Sequence, residues 1–492
     1  MEHFDVLIVG AGVSGIGLAC TLKAKCPGKR VAILERRPRL GGTWDLFRYP
    51  GVRSDSDMLT YGYRFKPWLD ARVLADGGTI LAYLAETVRE HGVDRHIRYC
   101  LKVVAADWSS TRRRWTVTAI NESGGGESRR FEASVLVMCS GYYNFDAGYT
   151  PDLPGLDRFT GRRVHAQHWP QDLDLTGQRV VVVGSGATAM TLVPAIAPTV
   201  AHVTMLQRSP SYVLSVPSFD ALTERLSRIV PRRWAFALAR KRNTALARWI
   251  YQACRRWPQM MRQLLIGQAR KRLAGSATDI AHFTPRYMPW DQRLCIVPDA
   301  DLFTALRSGK ASVETDTIEG FVGDRITLAS GKQLQADVLV LATGLNVQVF
   351  GGARISVDGK DYAPQDHMLY KGVLLEDLPN FAWIVGYTSL SWTLKADLAS
   401  GYLCRLLRHL DAHELDVFCA RDTAGSRTDA SIMDSLSSGY ITRAHSRMPR
   451  QGKPGPWQVG NHYPGDRTRL LDAPIADGTL TFERRVSGRV SA

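Results

Sequence analysis

Val6-Leu7-Ile8-Val9-Gly10-Ala11-Gly12-Val13-Ser14-Gly15 decides the fold, together with the twenty residues C-terminal to it: a helical pattern over 16–25, a second apolar run at 31–34, and Glu35. Strand, glycine turn, helix, strand and acid is the order of a dinucleotide-binding βαβ unit. Gly10 permits the tight turn, Gly12 lets backbone approach a pyrophosphate, and Gly15 lets the helix close on the strand. The helix N-terminus then aims unpaired N–H groups at the phosphates. Glu35 is placed to accept from a ribose hydroxyl. Gly10, Gly12, Ser14, Gly15 and Glu35 are therefore candidate cofactor-binding residues.

The unit recurs. Residues 180–183 lead into Gly184-Ser185-Gly186-Ala187-Thr188-Ala189, a helical stretch to Ala197 and a strand over 202–206. This strand ends in Gln207-Arg208 rather than an acid. A carboxylate repels a 2′-phosphate, whereas a guanidinium binds it bidentately. Gly184, Ser185, Gly186, Ala187, Thr188, Gln207 and Arg208 thus form a second candidate set, with a preference for NADPH over NADH. Two dinucleotide sites on one chain imply two cofactors that exchange electrons, and Glu35 in the first suits FAD.

The rest of the composition narrows the class. With 492 residues, 45% hydrophobic and 22% charged, the chain can bury sizeable cores and is neither disordered nor fibrous. Its eight cysteines include no C-x-x-C pair, which predicts free thiols in a reducing, cytoplasmic setting and no structural metal. No apolar run approaches the roughly 18 residues that a spanning helix needs. The net charge of +16 is concentrated: residues 223–272 hold fourteen Lys or Arg against Glu224 alone, interleaved with Trp234, Trp249 and Trp257. That texture predicts an inserted helical subdomain with a basic face. A solvated face, weak contact with an anionic membrane surface and nucleic-acid binding are the three readings open to it. No recognition element for nucleic acid stands in the sequence, and none is expected to be a partner.

The predicted fold class is α/β: two Rossmann-like dinucleotide-binding domains, for FAD and NADP, with an inserted helical subdomain. The expected division is 1–145 for the first part of the FAD domain, 146–215 for the first part of the NADP domain, 216–283 for the basic insertion, 284–344 for the rest of the NADP domain, and 345–492 for the rest of the FAD domain and a C-terminal tail. The strands at 135–138 and 338–341, each running into glycine, read as linkers between the domains. Beyond about Arg421 the chain is rich in Gly, Pro, Ser and Arg, which predicts a mostly irregular tail.

Phe159-Thr160-Gly161-Arg162-Arg163-Val164-His165-Ala166-Gln167-His168-Trp169-Pro170 resembles the F-x-G-x3-H-x3-W-P fingerprint of type I Baeyer–Villiger monooxygenases, of the class B flavoprotein monooxygenases. The resemblance covers nearly the whole chain and is nearest to the mycobacterial ethionamide-activating subgroup. It is carried also by Gly41-Gly42-Thr43-Trp44-Asp45-Leu46, Arg48-Tyr49-Pro50-Gly51-Val52-Arg53-Ser54-Asp55, Pro289-Trp290-Asp291-Gln292-Arg293-Leu294-Cys295 and Ser391-Trp392-Thr393-Leu394-Lys395-Ala396-Asp397.

The resemblance implies that Thr43, Trp44, Asp45, Leu46, Arg53, Ser54 and Asp55 line the flavin, and that Val103 offers backbone to its adenine end. It implies an NADPH- and O2-consuming enzyme that forms a C4a-peroxyflavin and converts ketones to esters or lactones, with S-oxidation of sulfides or thioamides beside it. The alternative is a flavin monooxygenase acting on N or S alone. The catalytic cation that the resemblance implies is Arg293, oriented by Asp55; an arginine stays charged at any working pH. Many members carry Lys before this Arg, where Gln292 stands here, so phosphate selectivity leans on Arg208. Arg286 is the reserve for either role. His165 reads as a hydrogen-bonded structural residue rather than a proton carrier, and Trp392 as either pocket wall or core.

Overall fold

The computed structural model describes residues 1–460 and 462–484. Glu2–Val9 lies inside an eleven-stranded sheet, parallel to Val31–Leu34 on one side and to Ser128–Met138 on the other, with Val6 opposite Val31 and Val135. Parallel strands covered on both faces read as continuous apolar runs, and Leu7 and Ile8 are completely buried. The chain leaves this strand through Gly10 at φ +105°, where a Cβ would sit 2.7 Å from the Cys139 carbonyl oxygen. Helix Val13–Lys25 then packs so tightly that a Cβ on Gly15 would lie 1.9 Å from the Gly10 carbonyl oxygen.

Leu101–Ser109, Arg114–Asn121 and Ser128–Met138 continue the sheet as an antiparallel meander, with Trp108 opposite Trp115 in its core. Two later strands return to it. Arg354–Val357 runs parallel to Leu101–Ser109, and Phe381–Trp383 parallel to Ser128–Met138.

The second sheet has five parallel strands in the order Ala311–Thr315, His202–Gln207, Arg179–Val183, Val338–Leu341, Arg162–His165. Gly184 repeats the role of Gly10: at φ +138° its Cβ would meet the Ala342 carbonyl oxygen at 2.3 Å. The mixed α/β class with Rossmann-like units is thus the observed architecture. The two glycine-ended runs are strands, as expected, but they are not linkers. Residues 135–138 end a strand in the middle of the first sheet, and 338–341 form an interior strand of the second, so the chain crosses only from Cys139 and Ala342 onward. The fingerprint segment contributes the edge strand of the second sheet, Arg162–His165.

Residues 221–273 form three helices, Ala221–Leu226, Arg232–Arg256 and Pro258–Leu273. The expected irregular tail is more ordered than its composition suggested. Leu480–Arg484 pairs antiparallel with Leu415–Ala420, Arg427–Ser431 pairs with Arg450–Gly452, and Gly439–Ala444 is helical. Short strands recruited by distant partners leave little periodicity to read. Residues 485–492 of that tail lie outside the described residues. All eight cysteines are unpaired. Among the described residues no helix is long and apolar enough to cross a membrane.

Candidate functional site

Both glycine turns open onto one cavity of about 960 Å³. Helix Val13–Lys25 begins at Gly12 and helix Ala187–Ile196 at Gly186, and neither has a side-chain cap, so both present free N–H groups. Gly10, Gly12 and Ser14 line the first end, and Gly184, Ser185, Gly186, Ala187 and Thr188 the second. A Cβ on Gly12 would meet nothing nearer than the Gly42 Cα at 3.6 Å, leaving room for a ligand's phosphates. Glu35, 4% exposed, accepts from the Ala11 N–H at 2.7 Å and the Arg37 N–H at 2.8 Å, which ties the glycine turn to the end of the second strand. Burial raises its pKa while those two N–H groups oppose the shift. Each carboxylate oxygen keeps a second lone pair for a hydroxyl.

Thr43, Trp44, Arg53, Ser54, Asp55 and Val103 line the same cavity. The Trp44 indole donates to the Tyr61 hydroxyl at 2.7 Å, which fixes its ring. A register shift in the ladder between Val103 and Ala105 marks the strand where it passes the cavity. Arg53 donates through Nη1 to Asp301 at 2.5 Å, while its Nη2 is buried without a partner; the buried Ser140 hydroxyl is likewise unpartnered on the cavity wall. Orphaned buried donors fit an anionic ligand.

Four of the residues expected to bind cofactor lie off the cavity. Asp45, 1% exposed, is held by Arg37 at 2.6 Å, by Arg39 at 3.0 Å and by Arg48, so its carboxylate is spent on the protein. Leu46 packs in the core beside the second sheet. Gln207 donates inward to the His282 carbonyl at 2.7 Å and to Thr315 at 2.9 Å. Gly15 serves only the helix–strand contact. Arg286 is exposed and off the cavity as well.

Arg293 and Asp55 meet on the cavity wall, with Arg293 Nη2 lying 3.2 Å from Asp55 Oδ2 and 3.3 Å from Oδ1. Asp55 is the main reason that the guanidinium's pKa lies above its ordinary value; burial opposes it. Tyr142, Tyr143 and Tyr440 surround the pair. The Tyr142 hydroxyl is held far above its usual pKa by burial first and by its tyrosine neighbours next, so it stays a neutral donor. Tyr142 stacks on Trp392 at 5.6 Å, and the Trp392 indole donates to Ser14 at 2.7 Å. Trp392 is therefore both cavity wall and packing surface.

Arg208 lines the far end, exposed and without an ion-pair partner among the described residues. A second guanidinium joins it there. Arg443 stacks 3.4 Å over the Tyr149 ring and donates to the Leu345 carbonyl at 3.3 Å. Its pKa is lowered by partial burial and by repulsion from Arg208. Sequence reasoning missed Arg443 and Tyr440, since nothing in the tail's spacing marks them, and Tyr142, which follows the strand end at Met138 without a motif of its own.

His165 takes no part in the cavity lining. Its Nδ1 accepts from the Gln167 N–H at 3.1 Å, so Nε2 carries the proton, 3.3 Å from the Tyr149 carbonyl. Burial lowers its pKa and keeps it neutral.

Residues 72–266 match the flavin-binding monooxygenase-like family, and residues 8–66 an NAD(P)-binding Rossmann-like domain. The chain is 55% identical to the putative FAD-containing monooxygenase MymA of Mycobacterium tuberculosis, over the full length of both. It belongs to the FAD-containing monooxygenases. The FAD-containing monooxygenase EthA of the same organism is 46% identical over 98% of each chain, so the subgroup expected from the motifs is represented, though MymA matches more strongly. Among solved structures, a steroid monooxygenase bound to NADP superposes with a TM-score of 0.77 at 21% identity, covering 98% of this chain and 100% of that one. This FAD-containing monooxygenase is an oxidoreductase, and FAD and NADPH, the cofactors expected from the two glycine turns, agree with the family.

Proposed function

We propose that this enzyme is a Baeyer–Villiger monooxygenase that inserts one oxygen atom of O2 into ketones, giving esters or lactones, and oxidises sulfides or thioamides at sulfur as a second activity. The observation that carries the reading is the Arg293–Asp55 pair on the wall of a cavity shared by both glycine turns. Oxygen insertion beside a carbonyl passes through anionic states, and a preorganised cation in a water-poor site stabilises them most. Asp55 keeps the guanidinium aimed, while the surrounding tyrosines and Trp392 narrow the water's access.

FAD is assigned to Gly10, Gly12, Ser14, Glu35, Thr43, Trp44, Arg53, Ser54, Asp55 and Val103; when bound it supplies the redox chemistry with O2. NADPH is assigned to Gly184, Ser185, Gly186, Ala187 and Thr188, with Arg208 and Arg443 taking the 2′-phosphate where Gln292 replaces a lysine. Residues 1–145 with 345–484 are the proposed flavin-holding part, and 146–215 with 284–344 the proposed NADPH-holding part. Unpaired cysteines support a reducing, cytoplasmic setting.

The test is NADPH oxidation by the yellow holoenzyme with one ketone and one sulfide, products identified. Ester and sulfoxide together support the reading. Sulfoxide without ester favours an N- and S-oxidising monooxygenase instead.

A further inference from the structure

Helix Arg232–Arg256 buries Ala235, Phe236, Ala239, Ala253 and Cys254 against the protein. Its opposite side is an uninterrupted exposed line: Trp234, Leu238, Lys241, Ala245, Trp249, Gln252 and Arg256, spaced three or four residues apart and therefore on one face. Trp234 is 74% exposed and Trp249 is 56% exposed. Of the fourteen exposed large apolar residues among the described residues, ten fall between 219 and 264, so the exposure belongs to this subdomain and not to the surface at large.

Three of the helix's arginines are paired, Arg240 with Asp397 at 3.5 Å, Arg242 with Asp220, and Arg255 with Asp291 at 2.9 Å. The two cations on the outward line, Lys241 and Arg256, are exposed and have no ion-pair partner among the described residues. An outward face that is both apolar and cationic needs an occupant that is both apolar and anionic. A second copy of the chain would bring like charge against like charge. A lipid bilayer with anionic headgroups meets both demands, since Trp settles at the headgroup–acyl boundary and Lys or Arg pairs with the headgroups.

We propose that this face docks flat on an anionic bilayer, with Trp234, Leu238 and Trp249 seated at the boundary and Lys241 and Arg256 among the headgroups. The same helix packs through Ala247 against Tyr387 and Leu390, two residues that also line the large cavity. Docking therefore brings the lipid surface to within one helix of the cavity wall.

Flotation of the FAD-loaded enzyme with vesicles tests this. Vesicles of phosphatidylcholine with about a third phosphatidylglycerol are expected to retain the enzyme at physiological salt, and pure phosphatidylcholine vesicles to retain at least tenfold less. Raising salt to several times physiological screens the headgroup charge and should release most of it. Lys241→Gln and Arg256→Gln should each weaken partitioning by about fivefold. The double variant Trp234→Ser, Trp249→Ser should lose tenfold or more while keeping its flavin content and thermal midpoint, because both side chains lie outside the core. Equal retention by neutral and anionic vesicles overturns the proposal, as does unchanged partitioning of the double variant. Tighter, vesicle-competing binding of a single-stranded oligonucleotide at the same salt would also overturn it and assign the face to nucleic acid. So would a dimer that the double variant dissociates.

Discussion

Arg293→Ala isolates the catalytic reading from cofactor binding. Arg293 is held by Asp55 at 3.2 Å and lines the cavity without belonging to either glycine turn, so its loss should leave FAD content and reduction by NADPH nearly intact. A unit cation about 4 Å from a unit anion is worth about 4 kcal/mol at an effective dielectric constant near 20, which is about 10³-fold in rate. Removal of single preorganised donors from such sites costs about 10²- to 10³-fold, consistent with that figure. The variant also leaves Asp55 facing the cavity without its partner, which adds repulsion toward any anionic state. Product formation should therefore fall by at least about 10²-fold.

The assay measures NADPH oxidation, ester and hydrogen peroxide in the same reaction. The expected result is continued NADPH oxidation with reducing equivalents released as peroxide and little ester. Arg293→Lys should recover only a small part, because a point charge on a flexible stem cannot reproduce the planar fork that Asp55 aligns. Ester formation by Arg293→Ala within tenfold of wild type refutes the reasoning. So would loss of FAD, which would make Arg293 a docking residue instead.

Other perturbations separate the remaining roles. Arg208→Ala and Arg443→Ala should each raise the KM for NADPH, by about 1.5 to 3 kcal/mol for a lost charge-assisted bond, and leave the KM for NADH nearly unchanged; parallel shifts for both coenzymes would remove these residues from the 2′-phosphate. Gly12→Val should fold yet purify colourless, since its side chain enters the cavity, whereas Gly15→Ala should lose stability outright because its Cβ meets the Gly10 carbonyl at 1.9 Å; flavin retention by Gly12→Val would contradict the assignment. Asp397, whose pKa burial pushes up to about 6 against the pull of Arg240, binds its proton more tightly folded than unfolded. Its contribution therefore favours the folded state less as pH rises, by roughly 2 kcal/mol between about pH 4 and pH 6, and Asp397→Asn should flatten that part of the thermal-midpoint profile.

The fold was legible where backbone geometry demands a residue type. Gly10 and Gly184 occupy positive φ with a carbonyl where a Cβ would be, and sequence exposes such positions because few residues satisfy them. Arg208 was legible for a similar reason, as it ends a strand whose position in the βαβ unit is fixed. Asp45 shows the opposite case. It stands in a motif beside Thr43 and Trp44, but three arginines from its own neighbourhood capture its carboxylate, and nothing in the spacing says which way it points. Arg443 and Tyr440 reach the cavity from a short helix whose placement depends on packing with residues near 142–149. That dependence is tertiary, so the tail read as irregular. The basic segment's helical texture was visible, yet which side faces outward was settled only by what the helix packs against.

Arg208, Arg443 and Arg293 differ in what holds them, and the difference matches the work each would do. Arg208 and Arg443 have no carboxylate partner among the described residues and repel one another. Bringing a doubly charged phosphate between them relieves that repulsion, so their pairing energy is available to a ligand and is lost when the ligand leaves. Arg293 already has its carboxylate, and so gains less from a ground-state anion than an unpaired guanidinium would. The pairing with Asp55 holds it in position. A cation that must act on short-lived anionic states needs that constancy, since stabilisation is useful to the rate only when it exceeds what the ground state receives. Of these three, the unpaired Arg208 and Arg443 thus suit cofactor recruitment and the paired Arg293 suits catalysis. Exchanging the two arrangements, by deleting Asp55 or by placing a carboxylate beside Arg208, should weaken oxygen transfer in the first case and NADPH selectivity in the second.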